Sequence, residues 1–176
     1  MIKSRILAAL AGAMLFGAAA QAQSISIDAP DSARLVLGAG GYDIIGANSH
    51  TAGIFRGEYD FDTKLLWILR PMIGGEVTTD GSTYAYGGFG ADIYFGNHWV
   101  LTPNAAVGFW ARGSDDAQNL GSWVEFRTGA EVDYRFDNYS RLGASFHHIS
   151  NAGLTQRNPG EEEVLVTYSI PLLGAP

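Results

Sequence analysis

The fold class this chain predicts is all-β, an eight-stranded antiparallel transmembrane β-barrel. Three observations lead there. The chain opens on an apolar leader, its remaining length shows recurrent two-residue alternation, and the connections between alternating segments are by turns short and long.

The leader is "MIKSRILAALAGAMLFGAAAQAQS". Lys3 and Arg5 precede an apolar run from Ile6 to about Ala20, and Ala20-Gln21-Ala22 has the small-x-small form of a signal peptidase site. The run is short and rich in Gly and Ala for a spanning helix, which needs about 20 strongly apolar residues. Residues 1–22 are therefore expected to be a cleaved signal peptide and 23–176 the barrel. Loss of the leader's two cations leaves the chain more acidic than the −7 of the full sequence. Such a charge repels phosphate and argues against nucleic-acid binding. No phosphate-binding glycine motif sits between a strand and a helix. Cysteine is absent, so stability must come from a source other than disulfides, such as a large hydrogen-bonded sheet.

The clearest alternation is "SWVEFRTGAEVDYRF". Val124, Phe126, Thr128, Ala130, Val132, Tyr134 and Phe136 share one face, and Glu125, Arg127, Gly129, Glu131, Asp133 and Arg135 share the other. Comparable segments place strands near 33–45, 51–61, 64–78, 82–95, 98–112, 121–136, 139–150 and 162–171. Asp62-Thr63, Gly96-Asn97 and Asp137-Asn138 read as tight turns. The intervening connections, 46–50, 79–81, 113–120 and 151–161, include two long polar ones. Eight long strands with turns of alternating length describe an outer-membrane barrel with periplasmic turns and extracellular loops. Trp67, Tyr84, Tyr94, Phe95, Trp99, Trp110, Trp123 and Tyr139 lie near strand ends, as aromatic girdles would. Closure removes the edges that open sheets expose.

A soluble lipid-binding barrel would show the same alternation with its polarity inverted. The membrane reading is favoured by strand length and by balanced charges (Glu125, Arg127, Glu131, Arg135) that can neutralise one another inside a narrow barrel. The ending "YSIPLLGAP" departs from the terminal aromatic common in such barrels.

Parity then sorts the polar cluster in the last hairpin. In "YSRLGASFHHIS", Leu142, Ala144, Phe146, His148 and Ser150 face one way, and Arg141, Gly143, Ser145, His147 and Ile149 the other. Glu162 shares parity with Val164, Val166, Tyr168 and Ile170. His148, Ser150 and Glu162 are thus expected on the lipid-facing wall at its extracellular end, where an idle polar group is costly. Residues two apart on one strand face are about 6.5–7 Å apart. Ser150 can act as nucleophile, His148 as its base, and Glu162 as the acid that orients the imidazole. Asn151 can offer an amide to an oxyanion. As a bare pattern, a solvated loop end remains an alternative.

The stretch "HISNAGLTQRNPGEE" resembles the signature of the PagL-type lipid A 3-O-deacylases. The resemblance rests on His148, Ser150, Asn151, Ala152, Gly153 and Leu154, then Asn158, Gly160 and Glu162. It continues through the flanking "RLGASFHH" and "YSIPL", so that it is specific over about residues 139–172. It implies an eight-stranded outer-membrane barrel that hydrolyses the ester-linked acyl chain at the 3-position of lipid A. It also implies His148, Ser150 and Glu162 as the triad, with Asn151 helping to form the oxyanion hole. Glu161 and Glu163 flank the acid, and parity selects Glu162. The implied partners are lipopolysaccharide and outer-membrane lipid, with a homodimer as an allowed assembly. The chemistry calls for no cofactor and no metal. A non-catalytic structural barrel is the competing function.

Other residues read more plainly. His147 should be an interior polar group. His98 falls in a turn and His50 in a loop, neither with carboxylates at ligand spacing. Asp115 and Asp116 read as solvated, with divalent-ion bridging as the alternative. Arg56, Arg70 and Arg112 suit interior pairing or, near the rim, a lipid phosphate. The 113–120 connection is expected to influence substrate access rather than chemistry.

Overall fold

The computed structural model describes residues 24–27, 31–45 and 51–172. The leader and its cleavage site, most of the first long connection and the last four residues lie outside these. The strands are β1 (Ile25–Ser26), β2 (Arg34–Tyr42), β3 (Ala52–Asp60), β4 (Leu69–Thr78), β5 (Thr83–Ala91), β6 (Ile93–Phe95), β7 (Trp99–Ala111), β8 (Val124–Arg135), β9 (Arg141–Ser150) and β10 (Glu161–Pro171). Strands β2 to β5 pair antiparallel in chain order, β5 and β6 both pair with β7, β7 to β10 again pair in chain order, and β10 pairs with β2, which closes the sheet. With β5 and β6 as two parts of one strand, the barrel has the expected eight.

The differences from expectation have local causes. The fourth expected strand breaks at Asp92. Continuous register places Ala91 and Asp92 opposite Pro103 and Thr102 of β7, between the Gly90–Asn104 and Ile93–Leu101 pairs. Pro103 has no N–H to donate, so the ladder lapses there. Asp92 instead accepts the Thr102 hydroxyl at 2.8 Å. The strand expected from 64 starts at Leu69, because Leu66 and Trp67 adopt positive φ and close a turn sealed by Leu69 N–H to Leu65 O at 2.9 Å. The first strand ends at Tyr42, where Asp43 turns left-handed at φ 50°. β1, which pairs with β6, was not foreseen.

The wall has the polarity of a membrane barrel. Leu37, Phe55, Phe109, Phe126, Val132, Phe146 and Val166 are exposed, whereas Glu125, Arg127, Glu131 and Asp133 are buried inside. A soluble barrel would bury the first set and expose the second. Toward the turns at the 96–98 end, Asp92 sits among Arg34, Arg70 and Arg141 at 3.2, 3.3 and 3.1 Å. Midway, Arg127 pairs with Glu58 and Glu76 at 2.8 and 2.7 Å, and Arg56 with Glu131 at 2.9 Å. His147 meets Glu163 at 3.0 Å. Buried ions persist when each is paired and hydrogen-bonded. The opposite end is plugged by Tyr42, Ile54, Tyr84, Trp110, Leu120, Ile149 and Leu165.

That plug corrects one expectation about the aromatics. Tyr84, Tyr94 and Trp110 are buried inside the barrel, at 1, 2 and 7% exposure, and form no girdle. Trp67, Trp99 and Trp123 are the exposed ones, and Trp99 packs edge-on against Tyr134 at 5.5 Å.

Candidate active site

β9 and β10 form the hairpin that carries the polar cluster. Their register sets Glu162 directly opposite His148, and on the other side of β9 Thr128 of β8 faces His148. Nδ1 of His148 lies 3.1 Å from Oε1 of Glu162. Their side chains are 43 and 26% exposed on the outer wall. A pair this accessible adds little to stability, so its geometry is not explained by folding alone. With Nδ1–H donated to the carboxylate, Nε2 is left as the basic nitrogen. Glu161 and Glu163 are buried in the interior. Glu162 is the member of the acidic triplet that faces the imidazole.

Ser150 closes β9 on the same face as His148, opposite Phe126 of β8. Among the described residues its hydroxyl makes no hydrogen bond to the imidazole; the two are aligned along one strand face. Such contacts are commonly long in an unliganded enzyme and tighten when substrate binds.

Asn151 does not sit as expected. It is fully buried. Its Nδ2 lies 2.9 Å from Leu120 O, 3.1 Å from Thr155 Oγ1 and 2.8 Å from Arg157 O. Its Oδ1 accepts the Gly153 N–H at 3.0 Å, and its own N–H donates to Asn158 Oδ1 at 3.0 Å. Two amide hydrogens shared among three acceptors leave nothing to offer an oxyanion. The side chain is a hub that shapes the turn after Ser150, in which Ala152 and Gly153 both take positive φ.

Two further contributors escaped the sequence reading. Gly160 has φ +65°, and a Cβ there would come within 2.6 Å of His148 Cε1. Only glycine lets the loop close over the ring. The second is the connection between β7 and β8. Leu120 O holds Asn151, Arg157 Nε donates to Asn119 O at 2.8 Å, and Thr155 Oγ1 donates to Gly121 O at 3.2 Å. That connection therefore buttresses the loop after Ser150, a structural duty that the sequence reading, which expected a part in substrate access rather than chemistry, did not include. His147 is interior, as its parity indicates. His98 stacks on Tyr134 with ring centroids 5.1 Å apart. Arg56 and Arg70 are buried in interior ion pairs, and Arg112 stays at the rim.

Residues 55–171, about two thirds of the chain, match the family described as Lipid A 3-O-deacylase (PagL). The chain belongs to the PagL family. A PagL relative, the lipid A deacylase of Pseudomonas aeruginosa, is 40% identical over 55 residues, 31% of this chain and 32% of that protein. The aligned stretch thus spans about a third of that relative's length. In three dimensions the chain resembles the crystal structure of the outer-membrane enzyme PagL, with TM-score 0.60 and 22% identity over 79% of this chain and 99% of that one. It also resembles a de novo designed transmembrane β-barrel, with TM-score 0.53 and 14% identity over 84% of this chain and all of the other. These two likenesses speak to the PagL barrel fold.

Proposed function

We propose that this protein is an outer-membrane serine esterase that removes the 3-O-linked acyl chain of lipid A. The observation that carries this reading is the His148–Glu162 pair at 3.1 Å on the lipid-facing wall, with Ser150 next along the same strand face. Family membership supports the substrate class. Export behind a cleaved leader of residues 1–22 completes it.

In the proposed reaction the Ser150 hydroxyl attacks the ester carbonyl carbon while His148 Nε2 takes its proton. Glu162 holds the ring and stabilises the imidazolium. Collapse of the tetrahedral intermediate breaks the bond to the sugar oxygen, which takes the proton back from His148. Water, deprotonated by the same imidazole, then cleaves the acyl-serine, releasing a fatty acid and restoring Ser150. We assign the oxyanion role instead to two donors beside Asn151, the Ala152 N–H and the Asn158 Nδ2, which have no other partner among the described residues.

The test is mass spectrometry of lipid A incubated with the refolded protein. Wild type should release the 3-O-acyl chain, and Ser150→Ala should not, while keeping the heat-modifiable gel mobility of a folded barrel. Release by folded Ser150→Ala would defeat the mechanism.

A further inference from the structure

Beside the Ser150–Asn151 turn, on the rim where the outer wall meets the loops, lies an open cleft of about 350 Å³ lined by Trp110, Arg112, Asn119, Ser122, Trp123 and Thr155. Its chemistry differs from the rest of the molecule. In a chain of net charge −7, no carboxylate lines it. It holds hydrogen-bond donors instead. Asn119 uses Oδ1 to accept the Gly121 N–H at 2.9 Å, which leaves its amide hydrogens for a ligand. Ser122 Oγ accepts the Val124 N–H at 3.0 Å and keeps its own hydrogen to donate. Arg112 is held in place through its Nε to Ala117 O at 2.8 Å and keeps its charge at the mouth. Its carboxylate neighbour, Asp115, stands 3.9 Å away with a fully exposed side chain.

Position adds to chemistry. Trp123 is 68% exposed and stacks face to face on Phe109, with centroids 5.2 Å apart. This is an amphipathic aromatic pair of the kind found at the membrane surface. Thr155, on the opposite side of the cleft, contacts Asn151 at 3.1 Å. The cleft therefore shares a wall with the reactive turn and sits at headgroup depth, while His148 and Ser150 face the acyl region.

We infer that this cleft binds the phosphorylated sugar headgroup of the substrate, through the Arg112 charge and the Asn119 and Ser122 donors, with Trp123 as an aromatic flank. The inference rests on the proposed lipid A esterase reading and adds the part of the substrate that orients it. A cation and neutral donors on a lining that carries no carboxylate of its own, with the Asp115 side chain turned to solvent, suit a phosphate ester and its adjacent hydroxyls.

The experiment is a binding titration of the full chain carrying Ser150→Ala, in detergent micelles, followed by tryptophan emission. The probes are bisphosphorylated lipid A, the same lipid A after dephosphorylation, and inorganic phosphate. Bisphosphorylated lipid A should bind at least tenfold more tightly than the dephosphorylated form. Ser122→Asp, which keeps an acceptor for the Val124 N–H but adds a negative charge, should erase that preference. The neutral Ser122→Asn should retain it, which separates charge from shape. Equal affinities for the two lipids, or a preference untouched by Ser122→Asp, would overturn the inference. Full displacement of lipid A by millimolar inorganic phosphate would also overturn it, since that marks a simple anion site. Wild-type hydrolysis in the same preparation reports separately on the esterase reading, so the two can fail independently.

Discussion

Gly160 shows how finely single residues set this site. Its φ of +65° and the 2.6 Å approach a Cβ would make to His148 mean that Gly160→Ala must push the ring or the loop aside. The barrel has no stake in that contact, so the variant should fold. Its kcat should fall by about 10²-fold, since displacement on the ångström scale is enough to misalign a general base. Asn151 is a different case. Asn151→Ala strands the buried Leu120 carbonyl, at roughly 1–3 kcal/mol for a buried group left unpaired, and removes one of the two donors to Arg157 O, which keeps the Thr155 hydroxyl at 2.8 Å. Activity should be lost together with hydrogen-exchange protection in residues 119–121 and 151–158. Loss of activity with unchanged protection would return Asn151 to an oxyanion role. The sequence made His148, Ser150 and Glu162 legible because parity along a strand depends only on position. It hid the role of Asn151 because that side chain's partners are remote. Leu120 is 31 residues away, and alternation carries no information about which carbonyl a loop amide will find.

Elements were legible where one rule governed them. Strand β8 is bounded within a few residues of its expected limits because its two faces alternate without interruption. The strand expected at 82–95 failed at Asp92 because its pairing depends on Pro103 of the neighbouring strand, a nonlocal fact. Residues 62–68 misled for another reason. Leu65, Leu66, Trp67 and Ile68 are apolar enough to pass for strand, yet they form an exposed turn. The β7–β8 connection separates into parts with different duties. Ser114, Asp115 and Asp116 are exposed, whereas Leu120 is 1% exposed and plugs the barrel beneath the turn that follows Ser150. Removing residues 114–116 should leave lipid A hydrolysis measurable. Leu120→Asp should sharply reduce it by unseating residues 119–121, with the barrel still heat-modifiable on gels. Equal rates for the two variants would show that the connection does not buttress the site.

At the scale of the molecule, one inversion organises everything: ions inside, apolar side chains outside. Phe126 and Arg127 are neighbours on opposite sides of that boundary, at 36 and 0% exposure. They test it together. Phe126→Arg places a charge on the lipid-facing wall and should cost up to about 2–4 kcal/mol in bilayer folding titrations, the upper figure applying at the midplane. Arg127→Met removes the cation that binds Glu58 at 2.8 Å and Glu76 at 2.7 Å and lies 3.9 Å above the Tyr86 ring. Two carboxylates then lose their partner in a closed interior, at about 3–5 kcal/mol. Adding Glu58→Gln and Glu76→Gln to Arg127→Met should recover much of that loss, because the penalty lies in uncompensated charge rather than in lost volume. For a soluble barrel the expected signs reverse, with arginine tolerated at 126 and methionine favoured at 127. Exposed strands carrying Phe55, Phe109, Phe146 and Val166 would be an aggregation surface in water. In a bilayer the same surface is the solvated one. That is what allows the His148–Glu162 pair to stand on the outer wall, at the level where an ester-linked acyl chain enters the membrane.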